Sequence, residues 1–190
     1  MSVKKIAILF SGRGSNLETL LEKLHQKSFG ETTIQVALTL CNRPDAGGIE
    51  RSRKYGIEPV LIDHKAFASR EDFDKAMVKV LHDANVDLVV LAGFMRILTP
   101  YFTQNVKAIN LHPSLLPLFK GAHAIEESYA SDMKVGGVSV HYVNEELDAG
   151  QIIAQRAFEK TKGMSLEAFE EKIHAIEHEL LPETIVELLR

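Results

Sequence analysis

Tryptophan is absent from these 190 residues, cysteine occurs once, and proline and glycine number only 6 and 12. The lone Cys41 cannot close an intramolecular disulfide, which excludes a disulfide-stapled scaffold and fits a reducing compartment. The low glycine and proline content excludes a collagen-like repeat. Long apolar runs are missing too. Ile6–Phe10 is too short for a signal-peptide core and far too short to span a membrane. Neither sign of charge dominates: Lys plus Arg is 22, Asp plus Glu is 26, and the net charge is −4. Such a chain makes a poor general surface for nucleic acid or an anionic membrane. No internal repeat, low-complexity stretch or flexible linker breaks it up. What remains is 45% hydrophobic and 25% charged residues, the mix of an ordinary soluble globular protein. Residues 1–190 are expected to form one cytoplasmic domain with a sizeable core.

Element types alternate along the chain. Val3–Phe10, Thr33–Cys41, Glu58–Ile62, Asp87–Ala92 and Val106–Leu111 are short apolar runs with the look of buried strands. Between them, Asn16–Lys27, Ala46–Tyr55 and Arg70–Ala84 read as helices. Leu17, Leu20, Leu21 and Leu24 recur at helical spacing, as do Phe73, Met77, Val80 and Leu81. Pro113 and Pro117 then interrupt regular structure. Ala124–Ser131 reads as a short helix, and Val135–Val143 and Gln151–Phe158 as longer strands. Ser165–Arg190 reads as a final helix capped by Ser165 and kinked at Pro182. The predicted fold is α/β: a doubly wound, mainly parallel twisted sheet of about seven strands with helices on both faces. Sites in such sheets lie beyond the carboxyl ends of the strands.

Three features sit at those ends. Ser11-Gly12-Arg13-Gly14-Ser15-Asn16 joins the first strand to a helix, and glycine with a helix N-terminus suits a phosphate. It is not a dinucleotide fingerprint. Leu17 stands where a third glycine belongs, and Leu40-Cys41-Asn42-Arg43 ends the second strand without an acidic residue. Further on, Asn110 and His112 project to one side of a strand end, pairing a polarising amide with a proton-transfer imidazole. Asp148, in the Asp148-Ala149-Gly150 turn, could tune that histidine or be an ordinary turn aspartate.

Four stretches occur in this order: Ser11–Leu17, Leu91-Ala92-Gly93-Phe94-Met95-Arg96-Ile97-Leu98, Asn110-Leu111-His112-Pro113-Ser114-Leu115-Leu116-Pro117 and Val138–Val143. The Asp148-Ala149-Gly150 turn follows them. Together they closely resemble the folate-dependent formyltransferase family, in particular its short branch acting on glycinamide ribonucleotide. The resemblance runs from about residue 3 to about residue 187. It implies a Rossmann-like formyltransferase fold, with the phosphate side in the N-terminal half and the C-terminal half completing a folate cleft. It also implies formyl transfer from 10-formyltetrahydrofolate, as co-substrate, to the amine of glycinamide ribonucleotide in purine biosynthesis. By that resemblance Asn110 would donate to the formyl oxygen, His112 would move protons, and Asp148 would orient His112. Gly14, Ser15 and Asn16 would hold the phosphate and Glu177 the ribose diol. Arg70, Met95, Arg96, Ile97 and Leu98, with Asn110, would contact the folate. Small-molecule substrates are implied, without nucleic acid, membrane or metal, in a monomer or weak homodimer. The chain departs at Gln151, where many relatives have proline, and over Glu126–Lys134.

His174-Ala175-Ile176-Glu177-His178 matches the inverted zinc-peptidase pattern, but no downstream acidic ligand supports it, so no metal is expected. Two other functions within folate chemistry compete. A methionyl-tRNA formyltransferase normally carries an added basic domain, and a formyltetrahydrofolate hydrolase an N-terminal regulatory one. A non-catalytic phosphate-binding module would leave Asn110, His112 and Asp148 unexplained.

Overall fold

In the computed structural model, which describes residues 2–190, β1 (Ser2–Phe10) lies at the centre of one sheet. Its parallel neighbours are β3 (Thr32–Cys41) and β5 (Leu88–Leu91). Beyond β5 comes the parallel strand β6 (Ala108–His112), and beyond β3 the two-residue β4 (Val60–Leu61). The antiparallel strands β7 (Val135–Tyr142) and β8 (Ile152–Glu159) extend the β6 edge, and β2 (Lys27–Phe29) runs antiparallel to β3. The sheet has 8 strands against about seven expected. The extra one is β2, which takes Lys27 from the predicted helix Asn16–Lys27. The chain leaves helix α1 (Ser15–Leu24) at His25 and turns at Gln26, whose φ is +59°. The Gln26 N–H then donates to the Ile34 carbonyl.

Side-chain alternation divides the core. On β1, Ile6, Ile8 and Phe10 face one layer and Ala7 and Leu9 the other. The first layer holds Leu17, Leu20, Leu21 and Leu24 of α1 together with Phe169, Ile173, Leu180 and Ile185 of α6 (Leu166–Leu189). The second holds Phe73, Met77, Val78 and Leu81 of α3 (Arg70–Asp83) and Phe102 of α4 (Pro100–Asn105). Each fully buried leucine or phenylalanine contributes about 1.5–3 kcal/mol by leaving water. β3 changes layers midway: Ile34 and Val36 join the first, Leu38 and Leu40 the second. Residues 34 to 40 have one parity, so a regular strand could not do this. A bulge at the β1 register step from Ile6–Val36 to Ala7–Leu38 inserts Ala37 and flips the side chains.

Helices α2 (Gly48–Lys54) and α5 (Ala124–Ala130) are short. Ser165 caps α6, its hydroxyl accepting from the Ala168 N–H at 3.1 Å. The helix continues through Pro182 to Leu189. Proline lacks the N–H that would serve the His178 carbonyl, and Lys23 Nζ of α1 donates to that oxygen instead, at 2.8 Å.

Candidate active site

The carboxyl ends of β1, β3, β5 and β6 share one edge of the sheet, because all four strands are parallel. After β1 the chain turns through Gly12–Gly14 into α1. Gly14 has φ +78°, and a Cβ there would stand 2.7 Å from the Gly48 Cα, so a side chain is excluded on two counts. Asn16, on the first turn, donates through Nδ2 to Glu177 Oε2 at 3.1 Å. Glu177 is 6% exposed and also meets His174 Nδ1 at 3.0 Å through that oxygen. The contact with Glu177 raises the His174 pKa. The apparent zinc-peptidase motif thus joins α6 to the glycine loop through a carboxylate. Among the described residues, no three His, Cys, Asp or Glu side chains are arranged to hold a metal ion. The Asn16 Oδ1 is buried and unpartnered, an acceptor turned from solvent.

Two strands away, four polar side chains converge. Asn110 lies directly opposite His141 in the β6–β7 register. Its Nδ2 is 3.2 Å from His141 Nε2 and donates to Asp148 Oδ1 at 3.4 Å. His141 Nδ1 faces the Tyr142 carbonyl at 2.8 Å, which places the ring proton on Nδ1 and leaves Nε2 as the acceptor. Burial lowers the His141 pKa, in keeping with that neutral ring. His112 Nε2 is 2.8 Å from the Phe119 carbonyl and so carries a proton. Its Nδ1 faces Asp148 Oδ2 at 3.4 Å. Asp148 also accepts from the Gly121 N–H at 2.9 Å. Asp148 has φ +49°, and a Cβ at the nearby Gly150 would collide with the Tyr142 carbonyl oxygen. The turn therefore holds Asp148 in place through Gly150.

A cavity of about 420 Å³ opens beside this cluster, with Asn110, His141 and Asp148 at its polar end. Gly93–Leu98 forms one wall and Val143–Leu147 the other. Met95, Ile97 and Leu147 are 70%, 54% and 51% exposed, an unusual amount of apolar surface at one cleft. Leu98 is rooted in the core instead, and Arg96 lies over the Phe73 ring at 5.7 Å. Arg70, the first residue of α3, is exposed and lies outside the cavity lining. So do Gly14, Ser15, Asn16 and Glu177, which form a separate cluster, and His112, which sits behind Asp148. His141 was missed from sequence. Its signal was a lone titratable residue inside the apolar run Val138-Ser139-Val140-His141-Tyr142-Val143, two residues on from Ser139 and so on one strand face with it.

Where the parallel strands meet the antiparallel ones, an amide, imidazoles and a carboxylate converge, a set that can polarise a carbonyl and move a proton. The formyl transferase family model matches residues 4–185, and the chain belongs to that family. It is 37% identical over 189 residues to phosphoribosylglycinamide formyltransferase of Bacillus subtilis (strain 168), covering 98% of this chain and 95% of that protein. It is 38% identical over 180 residues to the human trifunctional purine biosynthetic protein adenosine-3. That match covers 94% of this chain but spans only 18% of the human protein. The crystal structure of phosphoribosylglycinamide formyltransferase from Campylobacter jejuni subsp. jejuni superposes with a TM-score of 0.97. The two are 62% identical, with 99% of this chain and 98% of that one covered.

Proposed function

We propose that the chain transfers the formyl group of 10-formyltetrahydrofolate to the amine of glycinamide ribonucleotide, a step of purine biosynthesis. The observation that carries this reading is the meeting of Asn110 and Asp148 at one end of a cleft with an apolar wall, with His112 directly behind Asp148. The cavity suits a folate. Met95, Ile97 and Leu147 offer apolar faces to a flat ring system, and the Gly93–Leu98 backbone can read its edge. Arg70 and Arg96 provide cations for its carboxylates. The folate supplies the formyl group, and the chain's residues do the rest.

Gly14, Ser15 and Asn16 hold the substrate phosphate on the α1 N-terminus, and Glu177 accepts from the ribose diol. The glycinamide amine attacks the formyl carbon, and the bond from that carbon to the folate nitrogen breaks. Asn110 donates to the formyl oxygen as charge develops there, drawing on the longer of its two contacts, that with Asp148. Of the two proton-transfer groups Asp148 and His112, Asp148 is the one that lines the cavity, so it accepts the proton leaving the amine. His112 behind it, with Nδ1 towards Asp148 Oδ2, takes part in passing the proton to the folate nitrogen. One domain spans residues 1–190, working in the cytoplasm as a monomer or weak homodimer without nucleic acid. The test mixes the protein with glycinamide ribonucleotide and a 10-formyl folate and follows the deformylated folate. No release over the uncatalysed rate rejects the reading.

A further inference from the structure

Ser11 stands between the two candidate substrate sites. It follows β1 directly and is 2% exposed. Its N–H donates to the Gly93 carbonyl at 3.0 Å. Its hydroxyl accepts from the Met95 N–H at 2.8 Å and donates to Asn42 Oδ1 at 2.6 Å. Asn42 is 1% exposed and is itself held by the His64 ring, whose Nδ1 lies 3.0 Å from the Asn42 carbonyl. One serine thereby ties the end of β3, the root of the glycine loop and the wall of the apolar cleft.

Beyond Ser11, that wall is held by the Arg96 N–H, which donates to the Phe94 carbonyl at 3.0 Å, and by the Arg96 guanidinium over the Phe73 ring. Phe94 and Leu98 root it in the core, but Met95 and Ile97 between them are more than half exposed. Gly93 has φ +74°, and nothing lies within 4 Å of where its Cβ would be. Packing around Gly93 therefore does not fix where the wall goes at Met95, and the Met95 N–H bond to Ser11 does so there. The hydroxyl has one proton, and Asn42 Oδ1 takes it, leaving a lone pair for Met95. Beyond Ser11 the chain runs straight into Gly12–Asn16.

We propose that Ser11 is a positioning residue for the folate: its hydroxyl sets the cleft wall in register with the glycine loop. The inference rests on the reading of the cleft as the folate site. Ser11 touches neither substrate in this scheme, so its loss acts through Met95.

The test uses Ser11→Ala and Ser11→Thr, the second retaining the hydroxyl, with wild type as reference. Amide exchange at Met95, followed by NMR in the free protein, should accelerate in Ser11→Ala. The KM for the formyl folate should rise about tenfold, the worth of one such hydrogen bond. The KM for the ribonucleotide should stay within about twofold. Ser11→Thr should restore the exchange protection and the folate KM. An unchanged folate KM in Ser11→Ala overturns the proposal. So does an equal rise in both KM values, or a fall in melting temperature alone, since each marks a purely structural serine. Wild type without turnover would instead reject the functional reading beneath it.

Discussion

Asp148 concentrates the chemistry of the candidate site on one carboxylate. It is 8% exposed, faces His112 at 3.4 Å, and accepts from Asn110 and the Gly121 N–H. Asn110→Ala, His112→Ala and Asp148→Ala should each depress kcat, by about 10²–10³ for a lost oxyanion donor and about 10²–10⁴ for a lost proton-transfer group. The three losses should not add, because groups serving one transition state do not contribute independently. Steady-state kinetics of the single and double variants decides the point, and fully additive losses would separate the three roles. At the other site, Gly14→Ala places a Cβ against the Gly48 backbone in a left-handed conformation. It should cost about 1–3 kcal/mol of stability. It should also raise the KM for the ribonucleotide far more than that for the folate, and equal effects on both would make the loop structural.

Helices α3 and α4 are joined by a buried acid. Asp74 of α3 is 1% exposed, and its Oδ2 accepts from the Thr99 N–H at 2.6 Å and the Thr99 hydroxyl at 2.7 Å. Thr99 is the N-cap of α4, and its hydroxyl donates to Asp74 while its side chain makes no cap bond. Burial raises the Asp74 pKa while the two Thr99 bonds work against that rise. Asp74→Ala strands the part-buried Thr99 N–H and hydroxyl and should cost about 1–3 kcal/mol, measured by urea unfolding. A loss below about 0.5 kcal/mol, the usual surface effect, would show that Thr99 finds water instead. Elements of this kind were legible in unequal measure. The long strands and α1, α3 and α6 stood out because each buries an apolar face of several turns or residues. β2 did not, since Lys27-Ser28-Phe29 is three residues long with one apolar side chain, and its pairing is set by a turn at Gln26. α4 was overlooked although Thr99-Pro100 carries the pattern of an N-cap and a first-turn proline. Asn110 and His112 were readable as a same-side pair, whereas the closure of His112 behind Asp148 depends on Phe119 and Gly121, which only the folded loop brings there.

Across the whole molecule, the change from parallel to antiparallel pairing falls between β6 and β7, where Asn110 and His141 stand opposite one another. Placing an imidazole in that seam ties stability to pH. Burial is the main cause that lowers the His141 pKa below its ordinary 6.5, and His112 adds to it, while the Tyr142 carbonyl and Asp148 oppose it. The folded state thus prefers the neutral ring, and the unfolded chain binds the proton more readily. Stability is whole above the ordinary value and declines as pH falls from there towards the lowered folded value. Burial also lowers His25 and His178, with the same sign, whereas Glu177 raises His174, whose contribution is present in acid and fades as pH rises through its raised value. Comparing wild type with His141→Gln cancels those three, along with any constant loss from the missing bond to Asn110. Melting temperatures between about pH 8 and about pH 5 should fall more steeply in wild type than in the variant. Parallel curves would mean that the seam takes up the proton without cost, with Asp148 compensating the buried cation.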